Sequence, residues 1–255
     1  MTDTRGVLRG AGVLVTRPAR QAGAFAQKVA AIGGTPVVFP AIVIEPPEDA
    51  RALQEVHGML PQFDFAVFVS ANAVEFGVPD PRLWPPQLLA FAPGSGTAEA
   101  LHAVGIHHVR VPRERQDSEG LLALPELGAV AGKRVLIFRG DGGRELLADT
   151  LRERGAHVQY VTCYRRARPH DGTGLANVFA AGHVDAVTIT STEGLDNLWT
   201  LLDADTRARW TALPTFVPHT RIAERARELG LTTVSTDAGD AGLLAGLLEW
   251  FSRSH

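Results

Sequence analysis

The chain has 255 residues, 45% of them hydrophobic, and a formal net charge of −3, so it can fill one large core or two of ordinary size and carries no electrostatic footprint for nucleic acid. A single cysteine, Cys163, excludes an internal disulfide, no apolar run approaches the ~20 residues of a membrane span, and MTDTRGVLRG lacks a signal-peptide pattern, so a reducing cytoplasm is the expected location. Only Lys28 and Lys133 are lysines, which reads either as genomic composition or as bidentate carboxylate recognition by a few of the many arginines.

After a short polar lead over residues 1–10, residues 13–16 read as a strand, and Arg17-Pro18 opens a helix through Phe25, Val29 and Ile32 that Gly33-Gly34 ends. Residues 35–44 are long for a strand and contain Pro36 and Pro40, which predicts an edge or interdomain ribbon. Pro46-Pro47 with Glu48-Asp49 marks a boundary and a helix cap, and a helix over 50–60 leads to a strand over 65–69 that leaves through Ser70-Ala71-Asn72. A strand over 88–92 turns through Gly94-Ser95-Gly96-Thr97 into a helix ending near Gly105. A short strand over 109–112, a charged loop over 113–117 and a helix carrying Leu121, Leu122 and Leu124 follow.

The stretch from Gly132 to Pro169 reads strand, Gly-rich turn, helix, strand: residues 135–138, Arg139 to Gly143, then Leu146, Leu147 and Leu151, then residues 158–164 running on to Arg165-Arg166. Residues 170–174 read as linker and 175–181 as helix. A strand over 186–190 exits through Ser191-Thr192-Glu193-Gly194 into a helix of Leu195, Leu198 and Leu202. A strand over 215–217, the cap Pro218-His219-Thr220, a helix over 222–229, a strand over 232–235 and a helix over 242–251 complete the chain. Strands alternating with helices predict parallel sheets in α/β domains.

The chain repeats itself. A shift of 122 residues superposes Gly10 on Gly132, Val13 on Val135, Leu14 on Leu136, Arg17 on Arg139 and Gly33 on Gly155. A shift of 121 matches the strand ending in Ser70 with that ending in Ser191, and a shift of 125 matches Phe91, Pro93, Ala98 and Gly105 with Phe216, Pro218, Ala223 and Gly230. Two copies in the order A-B-C-A′-B′-C′ are too few for a solenoid and predict two similar domains.

In open parallel sheets ligands sit beyond the carboxyl ends of strands, beside helix N-termini that favour anions. The residues predicted there are Thr16, Arg17, Ser70, Asn72, Gly94, Ser95, Gly96, Thr97, Arg139, Gly140, Ser191, Thr192, Gly194, His219 and Thr220. Each taken singly is an ordinary N-cap or turn residue; together, with Glu193 as the one carboxylate expected to face the site, they describe a cleft that hydrogen-bonds a polyanion. The histidines and the cysteine show no metal-ligand spacing, there is no P-loop, and the Gly94 and Gly140 turns have Glu99 and Glu145 where a dinucleotide turn needs its third glycine. No metal or cofactor is expected, and catalysis would rest on holding a substrate in a reactive shape.

VLVTRP with FPAIVIEP, FVSANAVEF, GSGTAEAL, DSEGLLALPEL, RVLIFRGDGGRELLADTLRERGAHV with YRRARP, and TITSTEGLDNL together resemble the uroporphyrinogen-III synthase family across nearly the whole chain. The resemblance implies cofactor-free cyclisation of the linear tetrapyrrole hydroxymethylbilane to uroporphyrinogen III, with loss of water and inversion of ring D. It implies a cytoplasmic monomer that binds neither nucleic acid nor membrane and takes its substrate from hydroxymethylbilane synthase. It further implies two similar flavodoxin-like parallel-sheet domains, one inserted in the other: 1–38 with 170–255, and 46–160, joined by a two-stranded ribbon of 39–45 and 161–169, with the substrate between them. Tyr164 matches the ribbon tyrosine thought to assist departure of the substrate hydroxyl; packing within the strand is the other reading. Where many members have a second Thr, this chain has Ile222, with Thr220 as a substitute donor. A solute-binding module would share the architecture but is usually exported, and a sensing domain would continue into a DNA-binding segment.

Overall fold

Two parallel sheets organise the computed structural model, which describes residues 6–143 and 145–253. The chain divides into two compact units, one made of the residues up to Val43 with those from Ala167 onward, the other of Ile44–Arg166. In chain order the first half forms β1 (Gly12–Val15), α1 (Ala19–Ala31), β2 (Thr35–Val38), β3 (Val43–Glu45), α2 (Arg51–Met59), β4 (Phe65–Phe68), α3 (Ala71–Gly77), β5 (Leu89–Phe91), α4 (Ser95–Ala103), β6 (Val109–Arg110), α5 (Ser118–Leu122) and α6 (Pro125–Gly128). The second half forms β7 (Arg134–Gly140), α7 (Leu146–Glu153), β8 (His157–Ala167), α8 (Thr173–Ala180), β9 (Ala186–Thr188), α9 (Thr192–Leu201), α10 (Ala204–Thr211), β10 (Pro214–Val217), α11 (Thr220–Glu228), β11 (Thr232–Ser235) and α12 (Gly239–Arg253).

In the first unit the strands lie in the order β11-β10-β9-β1-β2, all parallel. Numbered within the unit this is 2-1-3-4-5, the flavodoxin-like order, with its reversal between β1 and β9. Both faces are covered, so the central strands β1, β9 and β10 are buried along their whole length rather than alternating. Val13, Val15, Ala186 and Phe216 pack with Phe25, Val29, Leu243 and Leu247 on one face. Leu14, Val187 and Val217 pack with Phe179, Leu195, Leu198 and Trp210 on the other. Trp210 is fully buried, and its indole N–H is satisfied by Thr215 Oγ1 at 3.0 Å.

The second unit has the order β3-β8-β7-β4-β5-β6, with β8 through β6 parallel. This is the same flavodoxin-like order circularly permuted, because β7 and β8 take the places that β1 and β2 hold in the first unit. The reversal falls between β4 and β7, where Phe68 and Phe138 are register partners and stack with ring centroids 4.4 Å apart and planes 2° from parallel. Leu136, Phe138, Val161 and Cys163 belong to one face of this sheet; Val135, Ile137, Val158 and Tyr160 belong to the other.

Several elements differ from the sequence reading. Residues 35–44 are not one strand: β2 stops at Val38, because Pro40 has no N–H for the ladder, while Phe39 and Ala41 on either side still donate to the Val15 and Thr16 carbonyls. The lead is not simply polar, since Leu8 is buried against Val13 and Phe25; its first five residues lie outside the described ones. The leucines of residues 121–124 do not share one helix, as Pro125 begins α6. Helix α10 is too polar to show apolar periodicity and is announced only by its cap, Asp203 accepting from the Thr206 N–H at 2.8 Å.

Candidate functional site

The parallel order of the second unit sets four strand ends side by side along one edge, those of β8, β7, β4 and β5, and so brings Tyr164, Arg139-Gly140, Ser70 with Asn72, and Gly94 to Thr97 into sequence along it. Ser70 is the N-cap of α3, its Oγ accepting from the Ala73 N–H at 3.2 Å. The same Oγ lies 3.2 Å from the Tyr164 hydroxyl, and either group can donate. Tyr164 is 8% exposed, with Phe76 packed at 6.4 Å between ring centroids.

That meeting depends on a β-bulge. Pairing of β7 with β8 runs regularly to Arg139 with Thr162, then shifts so that Gly140 faces Tyr164 and Cys163 is the extra residue. Tyr164 thereby joins the same apolar face as Cys163 instead of the opposite one. Cys163 is fully buried, donates from Sγ to the Arg139 carbonyl at 3.2 Å, and has its thiol pushed up to about 12 by burial.

Arg139 leaves β7 on the other face. Its guanidinium sits 4.5 Å from the Tyr160 ring centroid and pairs with Glu145 at 2.8 Å, and Glu145 also accepts from the Tyr160 hydroxyl at 2.6 Å. Burial first, and then this bond to a carboxylate, push the Tyr160 phenol up to about 12. The hydrogen bonds from Tyr160 and Arg139 hold the Glu145 carboxyl below its ordinary range. A cavity of about 130 Å3 beside Arg139, Gly143 and Tyr160 lies on this side and not on Tyr164's.

At the α4 end, Gly94 is the N-cap in extended backbone, Ser95 and Gly96 are exposed, and Thr97 is buried. Gln116, which sequence reasoning did not single out, places its side-chain oxygen 3.4 Å from the Ser95 N–H. It lies in the charged loop before α5, where no periodicity or motif marks it.

In the first unit the ends of β10, β9 and β1 are adjacent and carry His219 with Thr220, Ser191 with Thr192 and Gly194, and Thr16 with Arg17. Ser191 repeats the role of Ser70 as a cap, accepting from the Gly194 N–H at 3.0 Å. His219 is the N-cap of α11 without a side-chain cap bond, and it and Thr220 are exposed, leaving this helix N-terminus open to an anion. Ile222 is buried in the core. Thr16 is buried at the reversal point and donates to the Thr188 carbonyl at 2.7 Å, while Thr188 donates to the Leu14 carbonyl at 2.8 Å. Arg17 pairs with Asp240 at 2.5 Å and lies 4.6 Å from the Phe25 ring centroid. The expectation that carboxylates are nearly absent from the strand ends therefore fails at both arginines, which Asp240 and Glu145 already engage. Among the described residues no group of three His, Cys, Asp or Glu side chains gathers as a metal site.

Each edge is thus a row of hydroxyls, backbone N–H groups and helix N-termini, suited to hold several carboxylates, and the second unit adds a seated phenol. A profile of the family described as uroporphyrinogen-III synthase HemD matches residues 23–245. The chain belongs to the uroporphyrinogen-III synthase family. Uroporphyrinogen-III synthase of Escherichia coli (strain K12) is 37% identical over 243 residues, which cover 92% of this chain and 99% of that one. The enzyme of Synechococcus elongatus is 29% identical, over 95% and 96% of the two chains. In fold, the chain is similar to the solved uroporphyrinogen-III synthetase of Helicobacter pylori 26695, with a TM-score of 0.54 and 16% identity over 96% of this chain and 100% of that one. No helix among the described residues is long and apolar enough to cross a membrane.

Proposed function

We propose that this chain cyclises hydroxymethylbilane to uroporphyrinogen III, with loss of water and inversion of ring D, and that Tyr164 is its catalytic residue. The observation that carries the role of Tyr164 is its hydroxyl, held 3.2 Å from Ser70 Oγ at the carboxyl edge of the sheet. Ser70 Oγ accepts from the Ala73 N–H, and either hydroxyl can donate in its contact with Tyr164. The proposed role takes the arrangement in which Ser70 donates to the Tyr164 oxygen and the phenol proton is free for the substrate. Donation of that proton to the departing hydroxyl, whose C–O bond breaks, releases water and an azafulvene cation. The substituted carbon of ring D bonds to this cation, and the resulting spiro intermediate fragments to a second azafulvene cation. That cation closes on the free α-carbon of ring D, whose proton is lost to restore the pyrrole and, in net balance, the phenol. Water and other donors assist the same departure, so Tyr164 lowers the barrier without being its only route.

The substrate's carboxylates are held by charge-assisted hydrogen bonds from backbone N–H groups and hydroxyls at the helix N-termini, each contributing roughly 1.5–3 kcal/mol. Ser70, Asn72 and Gly94 to Thr97 serve in one unit, and Ser191, Thr192, Gly194, His219 and Thr220 in the other, while Gly140 lies under the Tyr164 ring. In this reading Thr16, Arg17 and Arg139 shape the strand exits, Thr16 Oγ1 donating to the Thr188 carbonyl and one guanidinium nitrogen of each arginine pairing with Asp240 or Glu145. The protein works as a cytoplasmic monomer that receives its substrate from hydroxymethylbilane synthase, with no cofactor.

The purified protein, given fresh hydroxymethylbilane and no metal or nucleotide, is expected to yield the III isomer; accumulation of the I isomer alone, at the enzyme-free rate, overturns the activity. Tyr164→Phe keeps the ring and its packing and removes the donor. Its kcat should fall ~10- to 1000-fold with little change in melting temperature. An unchanged kcat would leave a site that acts by shaping its substrate alone.

A further inference from the structure

We propose that Gly140 and Cys163 are positioning residues for Tyr164, a reading that rests on the role given to that tyrosine above. The seat has two sides. On one, Gly140 is the register partner of Tyr164, and a Cβ built on it would lie 2.7 Å from Cε2, 2.8 Å from Cζ and 3.2 Å from the hydroxyl oxygen of the Tyr164 ring, the three nearest atoms all belonging to that ring. A side chain at 140 therefore displaces the phenol and meets little else as closely.

On the other side, Cys163 is the bulged residue that turns Tyr164 to the face of α3. Its Sγ lies 3.2 Å from the Arg139 carbonyl and 3.6 Å from the Ala73 carbonyl, so it links β7 to the first turn of α3. Ala73 is also the residue whose N–H donates to Ser70 Oγ, and Ser70 is the group that meets the phenol. The helix has no slack here, because a Cβ on Gly77 would lie 2.8 Å from Phe138 and 3.2 Å from Cys163 Cβ and Sγ. Thiol, helix turn, serine and phenol thus form one closed set of contacts. Within it Gly140 acts through the absence of a side chain, and Cys163 through its size and its one donor.

The chain has two tyrosines, Tyr160 and Tyr164, so protein labelled with 3-fluorotyrosine should give two 19F resonances, which Tyr160→Phe assigns. Gly140→Ala and Cys163→Ala are each expected to move the Tyr164 resonance. They should lower kcat ~10- to 100-fold and several-fold respectively, with KM changed less than about twofold, as for misplacement of a catalytic group by an ångström or less. Cys163→Ser, which keeps a donor of similar size, should restore most of the loss, and in a Tyr164→Phe background neither substitution should lower kcat further. If Gly140→Ala does not fold, the Cys163 pair and its 19F spectra carry the test. An unmoved Tyr164 resonance, or a kcat loss that persists undiminished on top of Tyr164→Phe, overturns the proposal. A moved resonance with unchanged kcat in these variants, where Tyr164→Phe itself is slow, also overturns it. If Tyr164→Phe is as fast as the parent, it is the catalytic role of the tyrosine that fails, while the spectra still decide whether the two residues seat it.

Discussion

The β-loop-α-β unit that opens the chain and the one that begins at Gly132 share a fold and a 122-residue offset, and three of the aligned positions at which they differ around the strand ends change what the backbone can do. Pro18 stands where the second copy has Gly140, Pro40 where it has Thr162, and Ile42 where it has Tyr164. In the first copy Pro18 caps α1 and Pro40 ends β2 after four residues, so Ile42 is buried as a plain apolar contact. In the second, β8 continues for 11 residues, bulges at Cys163, and delivers a phenol over a bare glycine. Changes in backbone permission, more than in side-chain chemistry, separate a structural copy from one that can seat a reactive group.

The arginines teach the complementary lesson. Arg17 and Arg139 are aligned, and each lies over an aromatic ring and pairs with a carboxylate, but the partners come from unrelated places: Phe25 and Asp240 in one unit, Tyr160 and Glu145 in the other. Recurrence of the clamp with different partners marks it as a device for fixing the strand exit. Bonds from Lys28 first and then Arg17 hold the Asp240 carboxyl below its ordinary range despite partial burial, which places the clamp's acid on the ionised side at neutral pH.

The aligned pair Thr16 and Phe138 offers the largest break. Phe138→Ala removes a fully buried ring from a stack and should cost about 3–5 kcal/mol in urea unfolding. Thr16→Val removes one buried hydroxyl bond at the matching point and should cost nearer 1 kcal/mol. Equal losses would mean that the two reversal points are held by the same kind of packing, contrary to the geometry. A smaller contrast lies in the caps. Ser70→Ala and Ser191→Ala should each destabilise by ~0.5–2 kcal/mol as lost N-caps, while only Ser70→Ala should also lower kcat, by roughly 2- to 10-fold, through its bond to Tyr164. Matching kinetic effects at both serines would show that substrate contacts, and not the phenol, account for them.

The last contrast is in pH dependence and belongs to the second unit, which holds both tyrosines and the cysteine. The Cys163 thiol is raised from 9.0 to about 12 and the Tyr160 phenol from 10.0 to about 12. The unfolded chain therefore loses these protons before the folded one does. Their contribution is intact below pH ~9 and is lost as pH rises toward about 12, the sign required when the folded state binds more protons. Cys163→Ala should flatten the fall in stability between pH 9 and 12; an unchanged slope in alkaline urea titrations would count against the burial of that thiol.

Much of this molecule was legible locally. Apolar runs marked the buried strands, Gly33 and Gly155 marked helix ends, and the internal repeat announced two related sheets, because each of these signals is carried by neighbours within a turn or a strand. Ser70 was legible as a cap and Tyr164 as a residue of a strand running on to Arg165-Arg166. Gln116, α10 and the acids on the two arginines were not, since each acts through a contact that no spacing encodes.

What the sequence by itself determined, then, is where strands and helices begin and which residue types stand at their ends. Strand alternation has a period of two, and it would have put Tyr164 on the face of Val158 and Tyr160, away from Ser70. Only the tertiary structure reverses that parity. The bulge at Cys163 is set by α3 closing on β7 and β8 through Gly77, and by the room that Gly140 leaves for a ring 24 residues further along the chain. Both are contacts between segments distant in sequence, formed when the sheet and its covering helix pack, and no local pattern contains them.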